Sequence, residues 1–395
     1  MKVGLVSGEF PPMQGGVGAF SQKLAEALAS QGHEVHVVTS HQARPGATRR
    51  SMWDVKEPFT ADFGCLHPVV KRWGPAALSS VAAVVQRYQL DVVNLQYQAA
   101  AYGMWLPAIG FLPWRLRGLA QVAVTFHDLR VPYLFPKAGR LRRQAVAHLA
   151  RNADGAIATN KQDYAALEAL AVRRLAHISI GSNIRPAAVS AEKITALRER
   201  LGLRPENCLV GYFGFLHPSK GAQLLVDALS RLERPLHLIF IGGRVGSSDS
   251  ANSQNYARLV EERVASLNLA ERVHWTGFLS EAETSLHLQA CDVMAMPYRD
   301  GASLRRGTLM AVLAHARPVI TTEPAGPLPE LAHGKNAWLL PVDDVEALQQ
   351  ALEALAADAE LRQRLGQGAG RLGRTYSWQQ IGLATAEFYT QLLAE

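Results

Sequence analysis

Short apolar runs alternate with longer amphipathic stretches along the chain. The runs of the first half are rich in Val and Ile and mostly continuous, which is typical of strands buried on both faces of a parallel sheet. They lie at 2–7, 34–39, 90–96, 121–126, 154–159 and 176–180. The stretches between them have helical periodicity, and the one at 20–32 ends in Gly32, where a helix C-cap is expected. This strand–helix–strand repetition predicts a doubly wound sheet.

The same pattern starts again after a polar stretch at 183–206 that lacks strand-like runs. The new apolar runs lie at 208–214, 237–242, 272–277, 292–297, 318–322 and 337–341. Capping boxes predict helices that begin at Asp343, with Glu346, and at Ser377, with Gln380. The sequence therefore predicts an α/β protein with two Rossmann-like doubly wound parallel-sheet domains that face a central cleft. We place the domains at 1–183 and 184–375, and we expect a C-terminal helix in 376–395 that packs back on the first domain.

Composition agrees with a globular protein that has a large core. Of the 395 residues, 48% are apolar and 19% are charged, which excludes a mainly disordered chain. The three cysteines, Cys65, Cys208 and Cys291, are an odd set without CxxC spacing, which argues against a disulfide framework or a zinc site. The N-terminal run is too short for a signal peptide, and no segment approaches the ~20 apolar residues of a membrane-spanning helix. We therefore expect a cytoplasmic protein.

The chain is basic, with a formal net charge of +7 and a pI of about 9.4. This charge suits an anionic partner, but the basic residues are scattered and no nucleic-acid-binding motif is present, so nucleic acid is not expected as a partner. Three segments, at 67–78, 112–118 and 139–152, mix arginine or lysine with large apolar side chains. Such a mixture suits a bilayer interface and predicts weak peripheral contact with anionic lipid at the inner face of the membrane. The alternative is a set of amphipathic core helices whose basic face is solvated.

Candidate residues lie in the loops after the strands, because ligands of doubly wound sheets bind at the carboxyl ends of the strands. In the first loop, Gly15, Gly16 and Gly18 precede a helix, and glycines beside a helix N-terminus suit an anion. The alternative is a tight strand-to-helix turn. A dinucleotide fingerprint fits poorly, because Ser21 stands where its third glycine would be and no acid follows the second strand. A nicotinamide-dependent oxidoreductase is therefore the weakest function considered.

Two further loops carry basic residues beside a predicted helix start. One strand ends in Gly214, and Lys220 then opens a helix, where a lysine can reach a pyrophosphate as a mobile point charge. Arg305 and Arg306 directly precede a helix that begins near Gly307. Two arginines oppose the dipole at such an end, and a bound anion would remove that conflict. The alternatives are a solvated surface lysine and a solvated basic turn.

These elements, in this order, resemble glycosyltransferase family 4, which has a two-domain fold called B-type. The resemblance covers nearly the whole chain and includes the opening Gly-Gly loop, TFHDL (125–129), FGFLHPSKG (213–221), ARPVITTEPAGPLPEL (316–331) and HGKNAWLLPVDDVEAL (333–348). It implies a nucleotide-diphosphate sugar as donor and retention of the anomeric configuration. It also implies a carbohydrate or lipid-linked acceptor, bound mainly by the N-terminal domain, and a role in polysaccharide or glycolipid synthesis.

Carried over by position, the resemblance assigns roles to residues of both domains. Gly15 and Gly16 would face the donor phosphates and the acceptor, His127 would reach the transferred sugar, and Lys220 would bind the diphosphate. For His127 taken alone, the alternative is a histidine that merely ends a strand. The setting TFHDL favours the functional interpretation.

The sequence departs from the family pattern in two places. Phe215 stands where an arginine commonly follows the glycine of the FG turn. The family's paired glutamates, which contact the donor sugar and the ribose, would fall at Ser303 and Ala311. We hypothesise that Arg305 or Arg306 supplies the missing positive charge and that Ser303 remains in the donor site.

Sugar transfer needs positive groups around the leaving diphosphate, because negative charge grows there in the transition state. Lys220, Arg305, Arg306 and the helix N-terminus at Gly307–Thr308 suit this role. No Asp-x-Asp metal motif occurs in the chain, so neither a metal nor another cofactor is expected. Two alternatives stay open besides the oxidoreductase: a sugar-nucleotide epimerase and a non-catalytic protein that binds a nucleotide sugar.

Overall fold

The computed structural model of the protein describes residues 1–13, 15–44, 58–102, 106–129, 139–232, 236–243 and 250–394. These residues fold into two compact units, each of which is described by itself. Unit 1 comprises Met1–Gly181 and Trp378–Glu395, and unit 2 comprises Ser182–Ser377. The chain therefore leaves unit 1 after Gly181 and returns to it at Trp378.

Unit 1 is built on a mainly parallel sheet. Within the described residues its strands are β1 (Lys2–Ser7), β2 (Glu34–Ser40), β3 (Phe59–Ala61), β4 (Gly64–Val70), β5 (Val92–Tyr97), β6 (Gln121–Phe126), β7 (Gly155–Ala158) and β8 (Leu175–His177). They lie in the order β3-β4-β2-β1-β5-β6-β7-β8, and only the short β3 runs antiparallel to its neighbour. Val3, Leu5 and Val6 of β1 are fully buried, as a continuous apolar run in a parallel sheet requires. The order reverses between β1 and β5, so the switch point lies at the carboxyl ends of these two strands.

Two hydrophobic clusters pack against the sheet of unit 1. The helices of its first segment are α1 (Gly16–Ser30), α2 (Pro75–Tyr88), α3 (Leu106–Ile109), α4 (Leu112–Leu116), α5 (Gly139–Asn152) and α6 (Lys161–Glu168). Helix α1 buries Phe20, Leu24 and Leu28, which recur at a helical spacing and form one apolar stripe. Gly32, with φ of +83°, follows α1 and allows the turn that ends it.

Unit 2 repeats this architecture with a fully parallel sheet. Its strands are β9 (Cys208–Phe213), β10 (Leu236–Ile241), β11 (Val273–Trp275), β12 (Val293–Met296), β13 (Val319–Thr322) and β14 (Trp338–Leu340), in the order β11-β10-β9-β12-β13-β14. Its helices are α7 (Ala191–Arg200), α8 (Ala222–Ser230), α9 (Ser250–Ser266), α10 (Glu281–Ala290), α11 (Gly307–Ala314), α12 (Val345–Ala357) and α13 (Ala359–Thr375). The strand order reverses between β9 and β12, which places the switch point after Phe213 and Met296.

The last helix, α14 (Trp378–Leu393), is part of unit 1. It packs against α1, and its Phe388 and Leu392 join the hydrophobic cluster that α1 forms with the sheet. Asn94 of β5 donates a hydrogen bond to the hydroxyl of Tyr389 at 2.6 Å, and both residues are buried. Burial raises the pKa of Tyr389, so the hydroxyl stays protonated. Because a buried polar group without a partner is costly, this contact fixes where α14 docks.

Most predicted strands coincide with observed strands to within a few residues, but three local predictions differ. Strands β3 and β4 were not predicted, and the basic segment 67–78 is the end of β4, a turn and the start of α2 rather than one amphipathic element. The N-cap of α12 is Asp344, which accepts from the Ala347 N–H at 2.8 Å. The prediction of Asp343 was wrong by one residue, because Asp343 adopts a left-handed conformation with φ of +57°.

Candidate functional site

The carboxyl ends of β9 and β12 bring the basic candidates of unit 2 together. Gly214 follows β9 with φ of +113°, in the backbone region that favours glycine. A Cβ at this position would lie 2.7 Å from Thr308 Cγ2 and 3.3 Å from Lys220 Nζ. A methyl group would collide with the threonine and crowd the lysine. Gly214, Lys220 and Thr308 therefore meet at one point, although the first two follow β9 and Thr308 belongs to the first turn of α11.

Lys220 lies in a site that disfavours its positive charge. It ends a short 3-10 turn (Pro218–Lys220) directly before α8, and its Nζ donates to the carbonyl oxygen of Phe215 at 3.0 Å. Burial, and to a lesser degree the charge of Arg306, lower the pKa of Lys220 to about 8. The ammonium group is thus charged at neutral pH, and an anionic ligand would offset both unfavourable effects.

Arg306 is the second cation of this cluster. Its guanidinium lies 4.1 Å from the centre of the Tyr298 ring and forms an ion pair with Asp300. Its Nε is buried and has no hydrogen-bond partner among the described residues. The Tyr298 hydroxyl is hydrogen-bonded to Thr308 Oγ1 at 3.0 Å, and burial raises the pKa of Tyr298 to about 12. Stacking and the ion pair therefore hold the arginine close to the residues around Lys220.

Helix α11 begins at Gly307, and the side chain of its N-cap residue does not cap the N-terminus. Arg306 occupies the N-cap position. Ser303 lies in the preceding loop, where its Oγ accepts from the Arg305 N–H at 3.3 Å and its carbonyl accepts from the Arg306 N–H at 3.1 Å. Ala311 is buried inside the helix. An uncapped helix N-terminus attracts an anion through its free N–H groups and its dipole.

In unit 1, His127 lies directly after β6, close to the switch point of its sheet. Its Nε2 is 3.0 Å from Gln96 Oε1, so the geometry assigns the ring proton to Nε2 and leaves Nδ1 as an acceptor. The ring of Phe20 packs edge-on against the imidazole at 4.6 Å. Burial lowers the pKa of His127 to about 3. The side chain is therefore a neutral group that can accept a hydrogen bond from a sugar hydroxyl.

Gln96 was not among the residues selected from the sequence. It is fully buried at the carboxyl end of β5, and its Nε2 has no hydrogen-bond partner among the described residues. A glutamine at the end of a Val-rich strand was the available signal, but the sequence alone did not show that it orients His127.

The carboxylate of Glu9 is hydrogen-bonded to the N-terminus of α1. Glu9 Oε1 accepts from the N–H groups of Val17 at 3.0 Å and Gly18 at 3.2 Å. Gly15 is the N-cap and lies against this carboxylate, whereas Gly16 is exposed and open. The helix dipole and the two hydrogen bonds favour a negative group in this position. A donor phosphate could use these N–H groups only after Glu9 moved, so the predicted contact of Gly15 and Gly16 with the donor stays a prediction.

We expect replacement of His127 to weaken transfer without changing the pH profile. Since burial holds its pKa near 3, the imidazole gains a proton only in strong acid and stays neutral between about pH 5 and 8. Loss of one neutral hydrogen bond of about 0.5–1.5 kcal/mol should lower kcat/KM by about 2- to 13-fold in His127→Asn. The measurement is kcat/KM against pH for both proteins. An ionisation near pH 6.5 that disappears in the variant would contradict this assignment.

Two family models match the chain. Residues 15–180 match the glycosyl transferase 4-like domain, and residues 207–358 match the glycosyl transferases group 1 model. The matched segments lie in unit 1 and unit 2, respectively. The chain belongs to glycosyltransferase family 4. It is a retaining glycosyltransferase with two parallel-sheet domains of the B-type fold, and the resemblance found in the sequence is confirmed.

Similar proteins and structures agree with this membership. A D-inositol 3-phosphate glycosyltransferase of Corynebacterium glutamicum is 25% identical over 100% of this chain and 97% of its own length. Sucrose-phosphate synthase from Thermosynechococcus elongatus superposes with a TM-score of 0.75 at 22% identity, covering 100% of this chain and 99% of that structure. The Anabaena protein HepE in complex with UDP-glucose gives a TM-score of 0.73 at 19% identity, covering 99% and 100%. These matches favour sugar transfer over the epimerase and the non-catalytic alternative.

Among the described ranges, no helix combines the length and the apolar character needed to span a bilayer.

Proposed function

We propose that this glycosyltransferase takes a nucleoside-diphosphate sugar as donor and holds its diphosphate in unit 2, between Lys220, Arg306 and the N-terminus of α11. The observation that carries this proposal is the presence of two cations in one partly buried cluster, beside a helix N-terminus that its own N-cap residue does not cap. Arg305 is next to this cluster in sequence, and Ser303 shapes the loop through its two hydrogen bonds.

The electrostatics of the cluster support a dianionic ligand. Lys220 and Arg306 repel each other, and the Asp300 carboxylate offsets only part of their charge. The dipole of α11 adds a further partial positive charge at the same place. A diphosphate would satisfy the helix N–H groups and both side chains at once. The same groups would stabilise the charge that develops on the diphosphate when it leaves.

The reaction we infer is a front-face displacement. The bond from the anomeric carbon to the diphosphate oxygen breaks, and a bond to the acceptor oxygen forms on the same face of the sugar. The acceptor proton passes to an oxygen of the leaving diphosphate, so no protein base is required. The role of this chain's residues is to bind, orient and stabilise charge.

The acceptor we propose is a lipid-linked or polysaccharide-precursor hydroxyl. A phosphorylated polyol is the candidate suggested by the names of the inositol 3-phosphate glycosyltransferases that resemble the chain. UDP-glucose is the first donor to try, because it is bound in a structure similar to this one.

Product formation tests this function. Purified full-length protein is incubated with a panel of sugar nucleotides, alone, with inositol 3-phosphate and with a cell lipid extract. Nucleoside diphosphate release that depends on an acceptor supports the proposal. Turnover of the sugar nucleotide without any acceptor would indicate the epimerase, and binding without turnover would indicate a non-catalytic protein.

Catalysis should not depend on a divalent metal. Lys220 and Arg306 supply positive charge where metal-dependent transferases use an ion held by paired aspartates. We expect kcat to be unchanged when EDTA is present and when magnesium or manganese is added, well below the melting temperature. The assay is steady-state transfer under these three conditions. A transfer activity lost in EDTA and restored by magnesium or manganese would refute the proposed role of the basic residues.

A surface of unit 1 supports peripheral membrane contact. Phe111 and Trp114, at the start of α4, expose 48% and 63% of their surface, and the exposed Arg117 follows them. The Phe111 ring lies 5.2 Å from that of His148 on α5, so two of the three basic segments identified in the sequence adjoin each other. Exposed aromatic side chains beside arginine suit the interface of an anionic bilayer. We therefore propose that the enzyme binds peripherally to the inner face of the membrane.

Vesicle co-sedimentation tests this surface. We expect binding to anionic vesicles at low salt, weaker binding at high salt, and at least ~10-fold weaker binding of the double variant Phe111→Ser with Trp114→Ser. Phe278→Ser is the matched control, because Phe278 is 72% exposed in unit 2. The proposal fails if wild-type protein does not bind at low salt, or if the double variant binds as well as the control.

A further inference from the structure

Two neighbouring strands of unit 1 bring together three potential metal ligands far from the sugar-transfer residues. In the parallel pairing of β2 with β4, His36 is opposite Cys65 and Val38 is opposite His67. Because side chains alternate along a strand and paired residues share a face, His36, Cys65 and His67 all project from the same face of the sheet. One ligand atom from each lies within 4.8 Å of the others, the sole such group found in the described part of the chain.

The two imidazoles are arranged as ligands rather than as charged groups. His36 Nδ1 and His67 Nε2 are 2.9 Å apart, which is within a few tenths of an ångström of the ~3.3 Å between two nitrogens of a tetrahedral zinc centre. Glu34 Oε1 accepts from His36 Nε2 at 3.0 Å. This contact places the His36 proton on Nε2, so Nδ1 is the acceptor of a hydrogen bond from the His67 Nε2–H. Zinc would replace the proton between the two nitrogens, and the His67 ring would then carry its proton on Nδ1. A carboxylate on the remote nitrogen of a histidine is the usual support of a zinc ligand.

We propose that His36, His67 and the thiolate of Cys65 bind one Zn²⁺ ion, with Glu34 as the carboxylate that orients His36. Two imidazoles and one thiolate are ligands that zinc prefers over magnesium or calcium. Cys65 is partly exposed, so a water molecule can complete the tetrahedron. On binding, the Cys65 thiol releases its proton, whereas the two imidazoles bind without losing one.

The charges in and around the cluster of His36, Cys65 and His67 are compatible with a bound divalent cation. The thiolate and the Glu34 carboxylate balance the two positive charges of zinc. The other charged groups close to the cluster are Lys2, Arg87 and Asp91, one acid and two bases.

A second pair of histidines, in unit 2, has a similar geometry but lacks a third potential metal ligand. His237 of β10 and His274 of β11 are stacked in the same way, with Nδ1 and Nε2 3.1 Å apart. In the described residues no cysteine or carboxylate completes a group with this pair, and its charged neighbours Arg272 and Arg198 are positive. The pair therefore serves as a matched control.

The proposed zinc lies towards the amino ends of β2 and β4, whereas the candidate transfer residues of unit 1 lie at the carboxyl ends of its strands. The zinc ion would link the outer strand β4 to β2 and so stabilise the sheet of unit 1. Chelation of zinc is accordingly expected to lower the melting temperature and not the turnover of the folded enzyme. Sequence spacing argued against a zinc site, because the ligands at 36, 65 and 67 meet only through strand pairing.

Metal analysis of the full-length protein tests the site. Protein stripped with a chelator and dialysed against Zn²⁺ should retain about one equivalent, with a raised melting temperature and with Cys65 protected from alkylation. Cys65→Ser and His67→Asn should lose the bound zinc, and Glu34→Gln should weaken binding by ~10- to 100-fold. His274→Asn and Cys208→Ser are the controls and should retain it.

Cobalt supplies a readout that a purely structural role of the residues would not give. Co²⁺ bound to the wild-type protein should show a thiolate-to-cobalt absorption band that Cys65→Ser lacks. Cys65 is partly exposed and its replacement by serine is nearly isosteric, so this variant is expected to fold even if His67→Asn does not. Failure of wild-type protein to retain zinc would overturn the proposal, as would unchanged retention in Cys65→Ser.

Discussion

Lys220→Ala is expected to lower kcat by ~100- to 1,000-fold, the usual cost of removing one preorganised group that stabilises developing negative charge. The ammonium group is next to Gly214 and Thr308, and it is held close to Arg306 in a partly buried site. Its effect should be larger on turnover than on donor binding, because charge on the diphosphate grows as the sugar leaves. Steady-state kinetics with the donor identified by screening give the two parameters separately.

Lys193→Ala is the matched control for this variant. Lys193 is an exposed lysine of the same unit, on α7, and its removal should change neither kcat nor KM. Lys220→Ala should melt like the wild type, because a lysine whose pKa is lowered by burial does not stabilise the fold through its charge. Normal turnover of Lys220→Ala would show that the diphosphate is held elsewhere.

The same lysine should set the alkaline limb of the pH profile. Its pKa is lowered to about 8, so the charged form is present below that pH and is lost as the pH rises through it. The kcat/KM of the wild type, which reports the free enzyme, should therefore fall above about pH 8. Lys220→Ala should lack this limb.

Arg306→Ala is expected to have the second largest effect, a loss of about 100-fold in kcat. The substitution removes the cation that is 4.1 Å from the Tyr298 ring centre and leaves Asp300 without its partner. Arg306→Lys keeps the charge but not the planar fork, and it should fall between the wild type and the alanine variant. Circular dichroism and melting curves establish that all variants fold.

Variants of Arg305 and Ser303, in the same loop, test whether the effect of Arg306 is specific or would follow from the loss of any nearby positive charge. Arg305→Ala removes the same charge one residue earlier and should cost less, since Arg306 is the residue whose charge acts on Lys220. Ser303→Ala should cost no more than a typical hydrogen bond, about 0.5–1.5 kcal/mol. If both arginine variants keep near-normal turnover, these arginines do not compensate for the family arginine that Phe215 replaces.

The sequence predicted the sheets well because their strands are continuous apolar runs. KVGLVS and CLVGYF can be recognised without knowledge of their neighbours, since burial on both faces requires this composition. β3 and β4 were missed because the first has only three residues and the second includes a glycine and a proline. Strand β4 depends on pairing with β2, and β3 depends on pairing with β4, and no local pattern encodes either pairing.

The candidate site was predictable where a motif fixes a backbone position. Gly214 and Lys220 belong to one loop, and their proximity follows from the motif. The contact of Glu9 with the start of α1 and that of Gln96 with His127 depend on how loops and strands pack. The same holds for the cluster of His36, Cys65 and His67, whose members lie on two strands. Such contacts become visible only when the strand order is known.

The most direct test of the central claim is a thermal-shift screen of the full-length protein against nucleoside diphosphates and their sugars. We expect that one nucleotide, as the diphosphate and as the sugar diphosphate, raises the melting temperature. At 100 times its dissociation constant, the ligand should stabilise the folded protein by about 2.7 kcal/mol. The corresponding nucleoside without phosphate should have little effect, because the proposed site of Lys220, Arg306 and the N-terminus of α11 would hold the diphosphate. A diphosphate site in unit 2 would be ruled out if no nucleoside diphosphate or sugar diphosphate changed the melting temperature, or if the nucleoside alone produced the full shift.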